Sequence, residues 1–431
     1  MSAGPETLRR DPDFARLWAA TTISMLGSFI TRTALPFAAI LVLGAGSAEV
    51  AILRSAELVA GLALGLVAGA WVDRLRRRPV MIWADLGRAV VLGSVPVAAA
   101  LGVLGLPQLV VVAFATAVLT TFFDVADRAF LPTVVGRERL VRANATLTAS
   151  GSAAEFAGFG VGGWLIQLFT APIAIALDAL SFVGSALLIG SIRRSESAPV
   201  PAPDRASVRA EIVDGLRTTL RSPILRPLAL ADAAVAGFWG VFGAVYLVFA
   251  TSIGFEPGVI GLIAAVGGLS SLTGAVLAER GVGRFGVGRF LIGAMVLVFI
   301  GNGLLALTPD ATLVGLACLL AQQLLSDSAL TAFDVVAVSI RQATVDDRLL
   351  GRVGASFHVL AVSFQLAGTL IGGLVAELFG LRVALVLGAT GGLLAIAILW
   401  TSAVRRMDRV PVGLAHVERP IVPGEDVPLA E

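Results

Sequence analysis

A chain of 431 residues that is 57% hydrophobic and only 14% charged, with a mean hydropathy of +0.91, is excluded from the soluble globular class, where roughly 25% of residues are charged. All 32 basic residues are arginine and the formal net charge is +2, so a basic stripe for nucleic acid is not expected. The single cysteine, Cys318, rules out a disulfide within the chain and a cysteine-based metal cluster. The composition is that of an integral membrane protein. The opening stretch MSAGPETLRRDPDFARLW lacks a short apolar core followed by a small-residue cleavage site, so a removable signal peptide is not expected.

A helix needs about 20 apolar residues to cross the hydrocarbon. Twelve such spans are predicted, near 17–43, 50–72, 80–102, 108–131, 145–169, 172–191, 227–250, 257–278, 288–308, 311–337, 353–379 and 382–403. An even count leaves both termini on one side, and the arginines choose which. Arg9, Arg10 and Arg16 precede the first span, Arg74 to Arg78 follow the second, Arg137, Arg139 and Arg142 follow the fourth, and Arg405, Arg406 and Arg409 follow the twelfth. The opposite loops, such as GAGSAE and GLPQ, are short and poor in arginine, with Arg382 the exception. The arginine bias therefore predicts a multi-pass protein of the inner (plasma) membrane with both termini in the cytoplasm.

The one long break, Ser195 to Arg226, holds APVPAP and then RASVRAEIVDGLRTTLRS, a stiff spacer followed by an amphipathic interfacial helix. The predicted organisation is a cytoplasmic tail 1–14, a six-helix bundle 15–192, a cytoplasmic linker 193–226, a second six-helix bundle 227–403 and a cytoplasmic tail 404–431. Internal similarity supports duplication: AGFGVGG at Ala157–Gly163 and AGTLIGG at Ala367–Gly373 share A-G-x-x-x-G-G, and Asp73-Arg74 and Glu279-Arg280 lie at a similar offset.

The stretch GLALGLVAGAWVDRLRRR sets Gly61, Gly65 and Gly69 four apart on one helical stripe, where another helix can approach closely, and then turns abruptly ionic. With twelve spans and two halves, this loop resembles the signature G-x-x-x-D-R-x-x-R-R of the major facilitator superfamily, at Gly69, Asp73, Arg74, Arg77 and Arg78, with Arg76 where that family usually has glycine. FFDVADRAFLPTVVGRERLVRAN, LDALSFVGSALLI and RQATVDDRLLGRV resemble its macrolide-efflux and siderophore-export branch of drug:proton antiporters, with Val125 in place of a usual proline.

The resemblance implies an all-α fold of twelve transmembrane helices in two pseudo-symmetric six-helix bundles, which rock about a central cavity in alternating access. It also implies a conformational gate. Asp73 is expected near the start of the eleventh helix, around Gly351–Ser356, and Arg77 near Asp124 or Asp127, a pairing that opens on the inward swing. The Gly61, Gly65, Gly69 stripe is expected to slide against Gly368 and Gly372. Gly158, Gly162 and Gly163 stand where antiporters of the family carry a Gly-Pro motif, Phe159 replacing the proline. Helix packing alone also explains those glycines.

An ionisable group inside hydrocarbon is costly unless it is paired or faces a wet cavity, so each is a functional candidate. Arg32 and Glu57 stand at similar depth on the first two spans and are expected either to pair or, with Arg54 taking Glu57, to leave Arg32 for an anionic group of a cargo. Glu155, midway along the fifth span without an obvious local partner, is the first choice to carry a coupled proton. Asp178 is expected to line the cavity or to bond helices together. Asp232, Asp327 and Asp334 are second-half candidates, Asp232 and Asp334 lying closer to the cytoplasmic end. Asp85 and Arg88, three apart, are read as an intrahelical pair near the cytoplasmic interface, and His358 as a hydrogen-bonding residue. Some of Trp71, Trp83, Trp164, Trp239, Phe122, Phe123, Phe159 and Phe364 would line a cavity suited to an amphipathic cargo.

No phosphate-binding G-x-x-x-x-G-K-[ST], metal-ligand cluster or nucleophile–base spacing occurs. Neither enzymatic activity, a cofactor nor use of ATP is expected. The predicted protein is a monomeric secondary transporter, in contact with membrane lipid, that exports a small-molecule cargo against protons. The alternatives are a uniporter or importer, and a non-transporting receptor on the same fold.

Overall fold

The computed structural model describes residues 11–65, 68–72, 74–194, 196 and 208–410. Asp73, most of the predicted linker spacer and the ends of both predicted tails lie outside the described residues, and the surroundings of Gly65 and Gly69 are likewise undescribed. The described residues are almost wholly helical: α1 (Pro12–Phe37), α2 (Ser47–Gly65), α3 (Ala68–Val72), α4 (Arg77–Ala100), α5 (Leu106–Val135), α6 (Leu140–Leu168), α7 (Ala171–Gly190), α8 (Val208–Arg221), α9 (Leu225–Ser252), α10 (Pro257–Phe285), α11 (Val287–Leu307), α12 (Leu313–Thr344), α13 (Asp347–Phe379) and α14 (Leu381–Thr401). The predicted second span covers α2 and α3, with residues 66–67 between them outside the described residues, and α8 is the expected amphipathic helix.

Local chemistry explains where these helices start. Proline occupies the first turn of α1, α5, α7 and α10, where its missing N–H is no loss. Asp11 caps α1 by accepting from the amides of Asp13 and Phe14 at 3.1 and 3.5 Å, and Thr170 and Thr312 cap α7 and α12 in the same way. Past Pro36, α1 loosens into a π-helical turn, Ala38–Val42, consistent with a proline that removes a backbone donor.

Among the described residues, ten spans are long and apolar enough to cross a membrane. Two that fall short do so for a local reason: α2 carries Glu49, Arg54 and Glu57 within its length, and α6 dilutes its apolar content with Gly, Ser, Thr and Glu155. Both lie between the two halves of the molecule and face less lipid. Around them, α1, α4, α5 and α7 form one bundle and α9, α11, α12, α13 and α14 the other, with α6 packed on α10 and α2 on α13 across the divide.

The loops near residues 11, 139, 194, 288 and 408 gather at one end of the molecule, termed the terminal end. Asp11 pairs there with Arg139 and Arg194, each at 3.4 Å, and the backbone at Gly288 meets that of Met407. At the opposite, far end the bundles are locked together. Gly163 of α6 and Gly261 of α10 face each other backbone to backbone, Gly373 of α13 lies against Ser47 and Ala51 of α2, and Gln167 accepts from the amide of Gly258 at 2.9 Å and donates to Glu256.

The terminal end is open. Asn144, Thr148 and Ser152 form an exposed stripe at i, i+4, i+8 on α6, and Asp334 and Gln342 are exposed on α12. Polar groups at membrane depth are costly against lipid, so these faces line a wet vestibule. The linker helix α8 is tied to α13 by a buried hydrogen bond between the hydroxyls of Thr219 and Ser356, 2.8 Å, and by the 2.8 Å pair of Arg352 with Asp214.

Candidate functional site

The vestibule ends in a central cavity with about 1330 Å³ of empty space, part of it open to solvent. Both halves build it. On one side stand Arg32, Arg54, Glu57, Glu155 and Phe159; on the other Trp239, Phe242, Tyr246, Gln323, Asp327 and Gln365. Four of the residues singled out in the sequence, Arg32, Glu57, Glu155 and Asp327, therefore converge although they come from α1, α2, α6 and α12.

Arg32 and Glu57 do not pair directly. Arg54 takes Glu57 at 3.1 Å, one turn along α2, and its other terminal nitrogen donates to the Arg32 carbonyl at 3.2 Å. The reason is register: residues three apart on one helix are neighbours without any movement of α1. The Arg32 side chain is consequently exposed to the cavity, in the field of Glu57 and Glu155 but within 4 Å of no carboxylate among the described residues.

Glu155 is half-buried and accepts no hydrogen bond from a described residue. Asp327, which feels the Glu155 charge across the cavity, accepts from the Gln323 amide. An aromatic wall runs along α9, where Trp239 meets Phe242 edge-on at 5.0 Å and Phe242 stacks on Tyr246 at 4.6 Å. The Trp239 N–H and Tyr246 hydroxyl are buried and find no partner among the described residues. Opposite them Phe159 packs edge-on against Phe29 at 5.3 Å. The pocket thus offers apolar faces, the Arg32 guanidinium and, besides the paired Glu57, the carboxylates of Glu155 and Asp327.

Other sequence candidates lie elsewhere. Asp178 is buried beside Gly27 of α1 and accepts from Ser181, one turn along its own helix, at 3.1 Å; it is not among the described residues that line the central cavity. Asp85 and Arg88 do form the expected pair, buried within the first bundle: both are at most 2% exposed, with the guanidinium 4.4 Å from the Phe123 ring and 4.1 Å from that of Phe182. Asp124 and Asp127 stand near this cluster and near Arg128. Asp232 and Asp334 share the field of Arg341 towards the terminal end. His358 is exposed.

In this conformation Arg77 pairs with neither Asp124 nor Asp127. It pairs with Glu196 at 3.4 Å, which also accepts from the amides of Arg77 and Arg78 at 2.7 and 3.3 Å, and the Arg78 guanidinium donates to the carbonyls of Ile189 and Gly190. Arg74 is exposed.

At Gly61, the member of the stripe whose surroundings are described, the expected sliding contact is not made in this conformation. Gly368 and Gly372 pack on Gly237 and Val241 of α9, inside their own bundle, and a side chain at Gly61 would meet nothing within 4 Å. Gly158 and Gly162 pack on α1, at Phe29 and Ile30, whereas Gly163 is the one of the three that meets the other bundle. Tyr246, Phe242, Gln323 and Gln365 escaped the sequence reading. The available signal was polarity: Gln323 interrupts an apolar run, and Tyr246 is the only tyrosine.

A closed far end, an open terminal end and a cavity between two helical bundles define a multi-pass membrane transporter with a non-enzymatic role. The Major Facilitator Superfamily model matches residues 17–322, and the chain belongs to that superfamily. It is 28% identical over 393 residues to the multidrug efflux pump Tap of Mycolicibacterium fortuitum, covering 87% of this chain and 91% of that protein. The fold superposes on the nucleoside transporter NupG with a TM-score of 0.75 at 12% identity, over 90% of this chain and 98% of that one. A bacterial homologue of the iron transporter ferroportin gives 0.72 in its inward-facing state, at 17% identity over 92% of this chain and 98% of that one. In its outward-facing state it gives 0.57, at 18% identity over 90% and 98%.

Proposed function

We propose that this transporter exports an amphipathic small molecule from the cytoplasm by alternating access and couples each cycle to protons. The observation that carries the reading is the composition of the central cavity: an aromatic wall on one bundle beside a carboxylate from each half, Glu155 and Asp327, with Arg32 left free. The 28% identity to a multidrug efflux pump over most of both chains supports the same direction. The apolar body of the cargo packs on Trp239, Phe242 and Phe159. Glu155, held by no protein hydrogen bond, takes and releases the coupled proton as the vestibule and the far end open in turn. The terminal end is the cytoplasmic one, the two bundles are the units that rock in the plasma membrane, and the loop around Asp73 to Arg78 serves the gate.

Everted membrane vesicles with an acidic interior, to which a panel of fluorescent amphipathic dyes is added from outside, test this. Gradient-driven dye uptake is expected, with loss of the gradient dependence in Glu155→Gln. Uptake indifferent to the gradient, or coupling intact in that variant, refutes the proton role; no uptake of any dye refutes amphipathic efflux.

A further inference from the structure

A second, unrelated site lies on the outside of the first bundle. At the start of α4 a cleft of about 1100 Å³ of open space is walled by Arg76, Arg78, Arg193 and Arg194 and floored by Ile82 and Leu86. Around the corner of α4, an apolar groove of about 700 Å³ runs between α4 and α5 past Val80, Leu119 and Phe122. Arg76, Pro79 and Trp83 line both.

We propose that this cleft binds the headgroup of an anionic phospholipid at its four arginines, with acyl chains in the apolar grooves flanking Trp83. Charge comes first. The one carboxylate in the cleft, Glu196, is 7% exposed and already held by Arg77 and by two backbone amides. The side chains of Arg76 and Arg193 have no ion-pair partner among the described residues, while Arg194, 49% exposed, is shared with Asp11 at 3.4 Å and Asp13 at 3.9 Å. Arg78 is anchored through the Ile189 and Gly190 carbonyls, which fixes one wall. Such a surplus of guanidinium donors suits a phosphate, which accepts them in pairs.

Position comes second. Trp83 is 73% exposed and Val90 74%, and with Leu86 and Val97 they form one outward stripe along α4. That stripe faces lipid, so the arginines above it stand at headgroup level, where indole rings also collect. Basic pockets beside membrane helices at that level recognise anionic headgroups. A second copy of the chain would bring four like charges to the same place, which disfavours a protein partner.

The test uses full-length protein in detergent, stripped of lipid and titrated with phosphatidylglycerol or with phosphatidylcholine of the same acyl chains, bound lipid being counted by native mass spectrometry. Phosphatidylglycerol is expected to bind and phosphatidylcholine to bind at least tenfold more weakly. Arg76→Ala/Arg193→Ala is expected to weaken phosphatidylglycerol roughly tenfold to thirtyfold, and the control Arg137→Ala/Arg142→Ala, with the same loss of charge at the same end, to leave it unchanged. Equal binding of the two lipids, an unaltered affinity in the cleft variant, displacement by equimolar inorganic phosphate, or protein dimers in place of lipid adducts would each overturn the proposal. The two-lipid comparison on the unaltered protein decides even if the cleft variant fails to fold.

Discussion

Replacing Gly163 with alanine tests whether the far-end seal sets the conformational equilibrium. The added methyl would overlap the Pro257 carbonyl and lie 2.9 Å from the Gly261 Cα and 3.1 Å from its nitrogen. All three obstacles are backbone, so no rotamer change relieves them and α6 must withdraw from α10. Such overpacking costs about 1–3 kcal/mol, and it is felt only where the two helices touch, in the state closed at the far end. The open state is spared. The equilibrium between the two should therefore shift roughly 5- to 150-fold towards far-end opening.

Spin labels at Phe169→Cys and Leu313→Cys, both exposed at the far end, in a Cys318→Ser background, report the change as a longer mean distance by electron–electron double resonance. Gly261→Ala, whose methyl would lie 2.8 Å from the Gly163 Cα, should reproduce it, while Gly184→Ala, with nothing within 4 Å, should not. An unchanged distance distribution in a Gly163→Ala protein of normal yield would refute the reasoning.

Two further outcomes follow from buried polar contacts. Arg88→Met leaves the buried Asp85 carboxylate without its ion-pair partner and should destabilise the first bundle by about 3–5 kcal/mol, whereas Asp85→Leu/Arg88→Met should recover most of that loss; thermal unfolding in detergent separates the two, and equal melting of the single and double variants would contradict the pairing. Thr219→Val removes the hydrogen bond between α8 and α13 at a cost of about 1 kcal/mol, so amide exchange in α8 should accelerate while that of α13 beyond Phe364 stays slow, and unchanged exchange in α8 would show that the contact does not hold the helix.

The spans, their even number and the expected linker helix were legible in the sequence because bilayer thickness imposes a length and an apolar content that any chain must meet. Arg32, Glu57, Glu155 and Asp327 were legible as candidates because charge inside an apolar run is rare and costly. Cost alone does not say what a charge faces. Asp85, Arg88 and Asp178 have the same sequence signature as Glu155, yet they are spent on holding the first bundle together, because α4 and α7 bury the faces that carry them. Glycine spacing was similarly ambiguous. Gly158, Gly162 and Gly163 share one pattern, and only the crossing of α6 with α10 makes Gly163 the point where the halves meet.

Sequence by itself determined that this chain lives in a membrane as a bundle of apolar helices, since that follows from the free energy of placing each residue in hydrocarbon. Tertiary structure alone decided which charges look into the cavity, that Arg54 rather than Arg32 takes Glu57, and that the far end is closed. Those outcomes depend on the rotation of each helix about its axis and on contacts between residues hundreds of positions apart, such as Ser47 with Gly373, which no local pattern encodes.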